Sequence, residues 1–208
     1  MNDERVPIAV VDHGAGNLVS ISHALERVGA EPHVTDEPDG LADAHGVVLP
    51  GVGSTATVMA GIREHGFDDH LGSLPVPLLG ICVGMQVLFE GSDEDGTPCL
   101  GLIEGTVRRL VGAPTLPHVG WNDLRVTGRS DLYGGLDEPV VYFVHSYAPV
   151  PDDDTTIAAT ARHGSEFVAG VRQGMVEGVQ FHPERSGATG LRILSRFVAS
   201  CRQAASAA

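Results

Sequence analysis

The chain has 208 residues, 27 of them glycine, and a formal net charge of −14. That length buries a core without disulfides or metals, and the acidity argues against a surface built to bind nucleic-acid phosphates. No stretch approaches the length of a bilayer-spanning helix, so neither nucleic acid nor membrane is an expected partner. The acidic runs "DEDG" and "PDDDTT" read as solvated loops.

Three cysteines, Cys82, Cys99 and Cys201, are odd in number and irregular in spacing, which does not make a disulfide framework. The start "MNDERVPIAVVD" carries charges of both signs and is no signal peptide. A reducing cytoplasm is the expected compartment.

In chain order, "IAVVD" (8–12) is a compact apolar run ending in a Gly-rich turn, the pattern of a strand buried on both faces. "NLVSISHALERVG" follows, with Asn17 as N-cap, apolar residues at Leu18, Ile21, Leu25 and Val28, and Gly29 as the stop. "PHV" is a short strand. "GVVLPGVG" (46–53) and "VPLLGIC" repeat the sequence of apolar run and glycine turn, and "VGMQVLFEGS" reads as a helix. Strand and helix alternating with short connections predict a parallel sheet covered by helices.

From Val107 to Gln180 the pattern changes to "TVRRLV", "NDLRVT", "PVVYFVHSY", "TIAATA", "FVAGVR" and "VEGVQF", which predicts antiparallel hairpins. The last helix is "GLRILSRFVASCR", with Leu191, Leu194, Val198 and Cys201 on one face, and "QAASAA" reads as a frayed tail. The expected fold is α/β: a central, mostly parallel, flavodoxin-like sheet with flanking helices and an antiparallel β section in the second half. Nothing marks a linker, so residues 1–208 are expected to form one domain.

Cys82 lies where a strand hands over to a helix, with Gly80 and Gly84 two residues to either side. This is the G-x-Nu-x-G spacing of a nucleophile elbow, with sulfur as nucleophile. The Val83 N–H points into the same space and can serve an oxyanion. A buried cysteine is more often a small apolar core residue. The flanking glycines tip Cys82 towards catalysis, while Cys99 and Cys201 have no such setting.

A thiol nucleophile works with a histidine and a group that orients it. Of ten histidines, His182 in "GVQFHPERSG" ends a strand and is followed by Pro183 and Glu184. Two residues apart in an extended segment, His182 and Glu184 project the same way, so the carboxylate can receive the imidazole N–H. A surface His–Glu pair beside a turn would look the same. "LPGVG" ends a neighbouring strand, and the N–H groups of Gly51, Val52 and Gly53 can complete an oxyanion hole, or form an ordinary glycine turn.

"GICVGMQ" together with "VQFHPERS" resembles the class I glutamine amidotransferases, and the likeness spans nearly the whole chain. It implies a Cys82–His182–Glu184 triad on an α/β sheet, glutamine as substrate, no cofactor and no metal. It also implies that Gln86, Glu94, Ser146 and Tyr147 hold the amino-acid end of glutamine. "VVDHGAGNLVSISHALERVG", "PHVGWN" and "YFVHSY" resemble the members that form the glutaminase half of a two-subunit synthase in histidine biosynthesis. For those, the partner is a (β/α)8 barrel cyclase subunit in a heterodimer, and Asn17, Val119 and Trp121 would lie at the interface. His13, Ala15, Val83 and Arg185 depart from the usual residues of these motifs. Arg185 puts a guanidinium where an ammonium is usual.

No G-x-x-x-x-G-K-[ST] loop is present, so the chain carries no nucleotide site of that kind and the ammonia it makes needs a second subunit. Two other readings stand beside this one. One is another glutaminase or a γ-glutamyl hydrolase on the same triad. The other is a thiol redox sensor in which Cys99 resolves Cys82.

Overall fold

A computed structural model describes residues 5–207. Residues 1–4, with most of the charged start, and Ala208 at the end of the tail lie outside it. In chain order the elements are β1 (Val6–Val11), α1 (Leu18–Arg27), β2 (Ala30–Thr35), β3 (Gly46–Gly51), α2 (Thr55–Glu64), α3 (Asp68–Leu71), β4 (Leu78–Cys82) and α4 (Val83–Gln86). There follow β5 (Gly91–Ser92), β6 (Gly105–Arg109), β7 (His118–Asp123), β8 (Arg125–Val126), β9 (Val140–His145), β10 (Tyr147–Pro151), β11 (Ile157–His163), β12 (Ser165–Gln173), β13 (Val176–Val179) and α5 (Gly187–Ala207).

Eight strands form one sheet in the order β2-β1-β3-β4-β13-β12-β11-β8. The pairs from β2 to β13 are parallel, and β13-β12, β12-β11 and β11-β8 are antiparallel. Both halves of the chain therefore contribute to one sheet. The apolar runs became its central strands because they are covered on both faces: β3 and β4 are buried at every position. α5 lies directly on β3, where a Cβ on Gly46 would come 2.2 Å from the Cys201 sulfur. Two smaller sheets, β10-β6-β5 and β7-β9, stand beside the large one.

Three local expectations give way. The helix predicted over 83–92 stops at Gln86. After it, the carbonyls of Val87, Leu88 and Phe89 are taken by the N–H groups of residues 100–103, a tertiary ladder that outweighs helical propensity. The tail does not fray before Ala207, because α5 continues through it. Asn17 occupies the N-cap position of α1, but its side chain makes no capping hydrogen bond.

Candidate active site

β4 and β13 run parallel, with Gly178 beside Gly80 and Val179 beside Ile81. Both strands leave the sheet at the same end. Cys82 follows β4 into α4, and His182 follows β13 into a 3-10 turn over Pro183–Arg185. Residues 82 and 182, far apart in sequence, thus meet at the carboxyl edge of the strands, the usual place for a site in a parallel sheet.

Cys82 has φ 57° and ψ −113°, a left-handed conformation that costs a non-glycine residue on the order of 1–3 kcal/mol. Its neighbours explain how it is held. A Cβ on Gly84 would stand 1.9 Å from the Leu49 carbonyl oxygen, and one on Gly80 would stand 2.8 Å from the Met85 nitrogen. Only hydrogen fits at −2 and +2, as the spacing predicted. Because α4 is a single turn, electrostatic help for a thiolate comes from a few local N–H groups rather than from a long helix dipole.

The Cys82 sulfur opens into a cavity of about 330 Å³. Val52, Gly53, Val83, Gln86, Glu94, Ser146, Tyr147 and His182 line it, together with Arg185. The structure therefore gathers the four residues expected to hold substrate around the sulfur. His182 lines the same cavity as the Cys82 sulfur, and its Nδ1–H donates to Glu184 Oε1 at 2.9 Å. Burial by itself would lower the His182 pKa, but the bonds to Cys82 and Glu184 and their charges raise it from 6.5 to about 10. The carboxylate reaches the ring from the 3-10 turn, not from the extended segment the sequence predicted.

Among the expected oxyanion donors, the Val52 N–H points to the Ala15 carbonyl at 3.4 Å. Gly51 packs on the elbow so closely that its Cβ would meet the Gly84 nitrogen at 2.5 Å. Glu94 Oε2 accepts the Thr55 N–H at 3.2 Å. Gln86 turns its Nε2 inwards, to the Tyr147 carbonyl and to Gln180 Oε1, both at 3.0 Å, which leaves Oε1 as its remaining polar atom.

Val119 and Trp121 are exposed, each at 57 %, and Asn17 is exposed as well. Trp121 meets the Tyr142 ring edge-on at 5.9 Å, and the Arg185 guanidinium lies over that ring at 5.5 Å. A rim of aromatic and cationic side chains thus adjoins the cavity mouth.

Sequence reasoning missed a histidine cluster behind the cavity wall. His118 Nδ1 and His145 Nε2 are 3.0 Å apart, and His163 stacks on His118 at 4.1 Å. It also missed Gln180, whose Nε2 lies 3.7 Å from the Cys82 sulfur. The one available signal was that Gln180 is the last residue but one of the run "VEGVQF" predicted to precede His182.

A strained cysteine at the end of a parallel strand, beside a histidine–carboxylate pair, is an arrangement suited to the class of enzymes that work through a cysteine nucleophile. The model of the family "Glutamine amidotransferase class-I" matches residues 9–201, and the chain belongs to that family. It is 48 % identical over 194 residues to the imidazole glycerol phosphate synthase subunit HisH of Xylella fastidiosa, covering 92 % of this chain and 96 % of the relative. To the same-named subunit of Moorella thermoacetica it is 41 % identical over 206 residues, covering 97 % and 98 %. Within the class, the chain thus falls with the HisH subunits. Among solved structures, a glutamine amidotransferase superposes with TM-score 0.73 at 25 % identity, covering 93 % of this chain and 98 % of that one. PurLQS from Thermotoga maritima shares the fold, with TM-score 0.70 at 23 % identity over 94 % and 98 % of the two chains.

Proposed function

We propose that this chain hydrolyses glutamine to glutamate and ammonia through a thioester on Cys82. It passes the ammonia to a separate (β/α)8 cyclase subunit of HisF type, which makes imidazole glycerol phosphate and AICAR in histidine biosynthesis. The observation that carries this reading is the strained Cys82, opening into a cavity that it shares with a His182 that Glu184 orients.

Glutamine lies in the cavity with its side-chain amide over the sulfur. Glu94 and Gln86 Oε1 accept from its ammonium, and Ser146 and Tyr147 border the same end. The thiolate attacks, and the Val83 N–H holds the oxyanion. The 51–53 turn adds a donor once the Val52 peptide leaves the Ala15 carbonyl. Each such donor is worth about 2.7–4 kcal/mol in the transition state. His182, held as imidazolium by the charge on sulfur, gives its proton so that ammonia leaves. Acylation then removes that charge. The His182 pKa falls, and the neutral ring activates the water that releases glutamate.

Free ammonia would be protonated in water, so it needs a dry route to its acceptor. The exposed Asn17, Val119 and Trp121 support a partner docked over them. Residues 1–208 act as one glutaminase domain in the cytoplasm, a reading that the shared sheet and three free cysteines support. No helix among the described residues is long and apolar enough to cross a membrane. Burial and the nearby Asp95 charge push the Cys99 thiol up to about 11, which disfavours it as a resolving thiol. The test is Cys82→Ala in the complex. Glutamine-dependent synthesis is expected to vanish while ammonia-dependent synthesis persists, and substantial glutaminase turnover in this variant refutes the nucleophile.

A further inference from the structure

Gln180 is wholly buried, sits one residue past the paired end of β13, and takes no part in the mechanism above. Its backbone N–H is spent on the Ala169 carbonyl at 2.9 Å. The side chain reaches across to the neighbouring strand end, where Nε2 lies 3.7 Å from the Cys82 sulfur, within range for a hydrogen bond to sulfur. On another side, the sulfur lies 3.8 Å from the Val144 carbonyl, an acceptor only. A thiol can donate its hydrogen to Val144. A thiolate cannot, and needs a donor instead.

The direction of the Gln180 amide is fixed by its surroundings. The Tyr147 carbonyl can only accept, and it receives Gln86 Nε2 at 3.0 Å and His145 Nδ1 at 2.9 Å. The first contact sets the Gln86 amide with its nitrogen inwards. That nitrogen also donates to Gln180 Oε1 at 3.0 Å. Gln180 must therefore turn its own nitrogen towards the sulfur. A flip would set two N–H groups against each other in a buried place and leave the sulfur facing an oxygen, at a cost characteristic of unmet buried polar groups.

We propose that Gln180 is a positioning residue for the nucleophile: its buried carboxamide, oriented by Gln86 and the Tyr147 carbonyl, donates to the Cys82 thiolate and favours it over the thiol. The inference deepens the thioester mechanism and rests on it. It also ties the residue expected to hold substrate to the reacting sulfur through one intervening side chain. Glutamine binding at Gln86 and the state of the sulfur are thereby linked.

The test measures the rate of iodoacetamide alkylation of Cys82 in the full chain, with the modified peptide read by mass spectrometry to separate it from Cys99. Wild type is compared with Gln180→Met, which keeps the shape and loses the donor, and with Gln180→Glu, which places an acceptor against the sulfur. Thermal melts show which variants fold, and the isosteric Gln180→Glu covers a failure of Gln180→Met. The rate is followed against pH, and expected is a midpoint about one pH unit higher in the variants, a tenfold change in the ionisation equilibrium and the scale of one hydrogen bond to a charged group. At strongly alkaline pH, where every thiol is ionised, the rates should converge. An unchanged midpoint in the folded variants overturns the proposal, as does an equal loss at every pH, which signals changed access. A wild-type Cys82 that reacts no faster than Cys99 removes the nucleophile reading, and this proposal with it.

Discussion

A Cβ placed on Gly84 would stand 1.9 Å from the carbonyl oxygen of Leu49. The neighbour is backbone of β3, so no side chain can swing aside to make room. Gly84→Ala must therefore push α4 away from β3 and open the elbow that holds Cys82. Overpacking of this kind costs about 1–3 kcal/mol, and for a chain of this size each kcal/mol lowers Tm by roughly 2–4 °C. Calorimetry should show a Tm lowered by several degrees, and glutaminase activity should be lost. A variant with wild-type Tm and activity would mean that the elbow tolerates bulk.

The elbow was legible in the sequence because its parts lie within five residues, as was His182 with Glu184, separated by one residue. The buried strands β1, β3 and β4 were legible as well, since a run covered on both faces is apolar at every position. β7 was not, because only His118 of its six residues is buried and its apolar Val119 and Trp121 face outwards. The short α4 was hidden for a related reason. Residues 87–89 have a helical composition but are claimed by the backbone of 100–103. Gln180 and the histidine cluster depend on strand pairings, β4 with β13 and β7 with β9, and on side chains turned towards one another across them. No local spacing encodes those contacts.

His182 should remain protonated well above the range of an ordinary histidine. Its pKa of about 10 arises against burial, from the hydrogen bonds to Cys82 and Glu184 and from their charges. A raised folded-state pKa gives a stabilising contribution that is complete below about 6.5 and is lost as pH rises through 10. Imidazole nitrogen NMR on the wild type should find one histidine still charged at pH 8–9. In Cys82→Ala, which removes the first of the raising influences, that titration should move down. An unchanged titration in Cys82→Ala would place the source of the shift elsewhere.

The His118–His145 pair should have the opposite effect on stability. Burial, then the neighbouring His163, lowers His118 from 6.5 to about 4. For His145, burial together with His118, His163 and His182 outweighs the raising bond to the Tyr147 carbonyl, and it too falls to about 4. Both rings are thus neutral in the folded chain at pH 5, where the unfolded chain would hold protons on them. Their contribution is complete above about 6.5 and is lost as pH falls towards 4. Tm measured from pH 7 to pH 4 should decline more steeply in the wild type than in His118→Gln, whatever the Tm of that variant at pH 7. Parallel declines would show that other groups govern acid stability.

Trp121 tests the partner surface without touching the triad. Its ring is 57 % exposed, has Tyr142 as its aromatic neighbour and lies against Gly187 at the start of α5. Removing an exposed ring should leave Tm within a degree or two, since little apolar area returns to water. If a cyclase subunit covers this rim, the same ring becomes a buried aromatic anchor, and its truncation costs about 2 kcal/mol or more, roughly thirtyfold in Kd. Titration calorimetry of Trp121→Ala against the cyclase subunit should give that loss. Alkylation of Cys82 in the isolated variant should match the wild type, because the triad is not altered. Wild-type affinity in Trp121→Ala would move the docking surface away from β7 and leave the exposed Val119–Trp121 strip without a role.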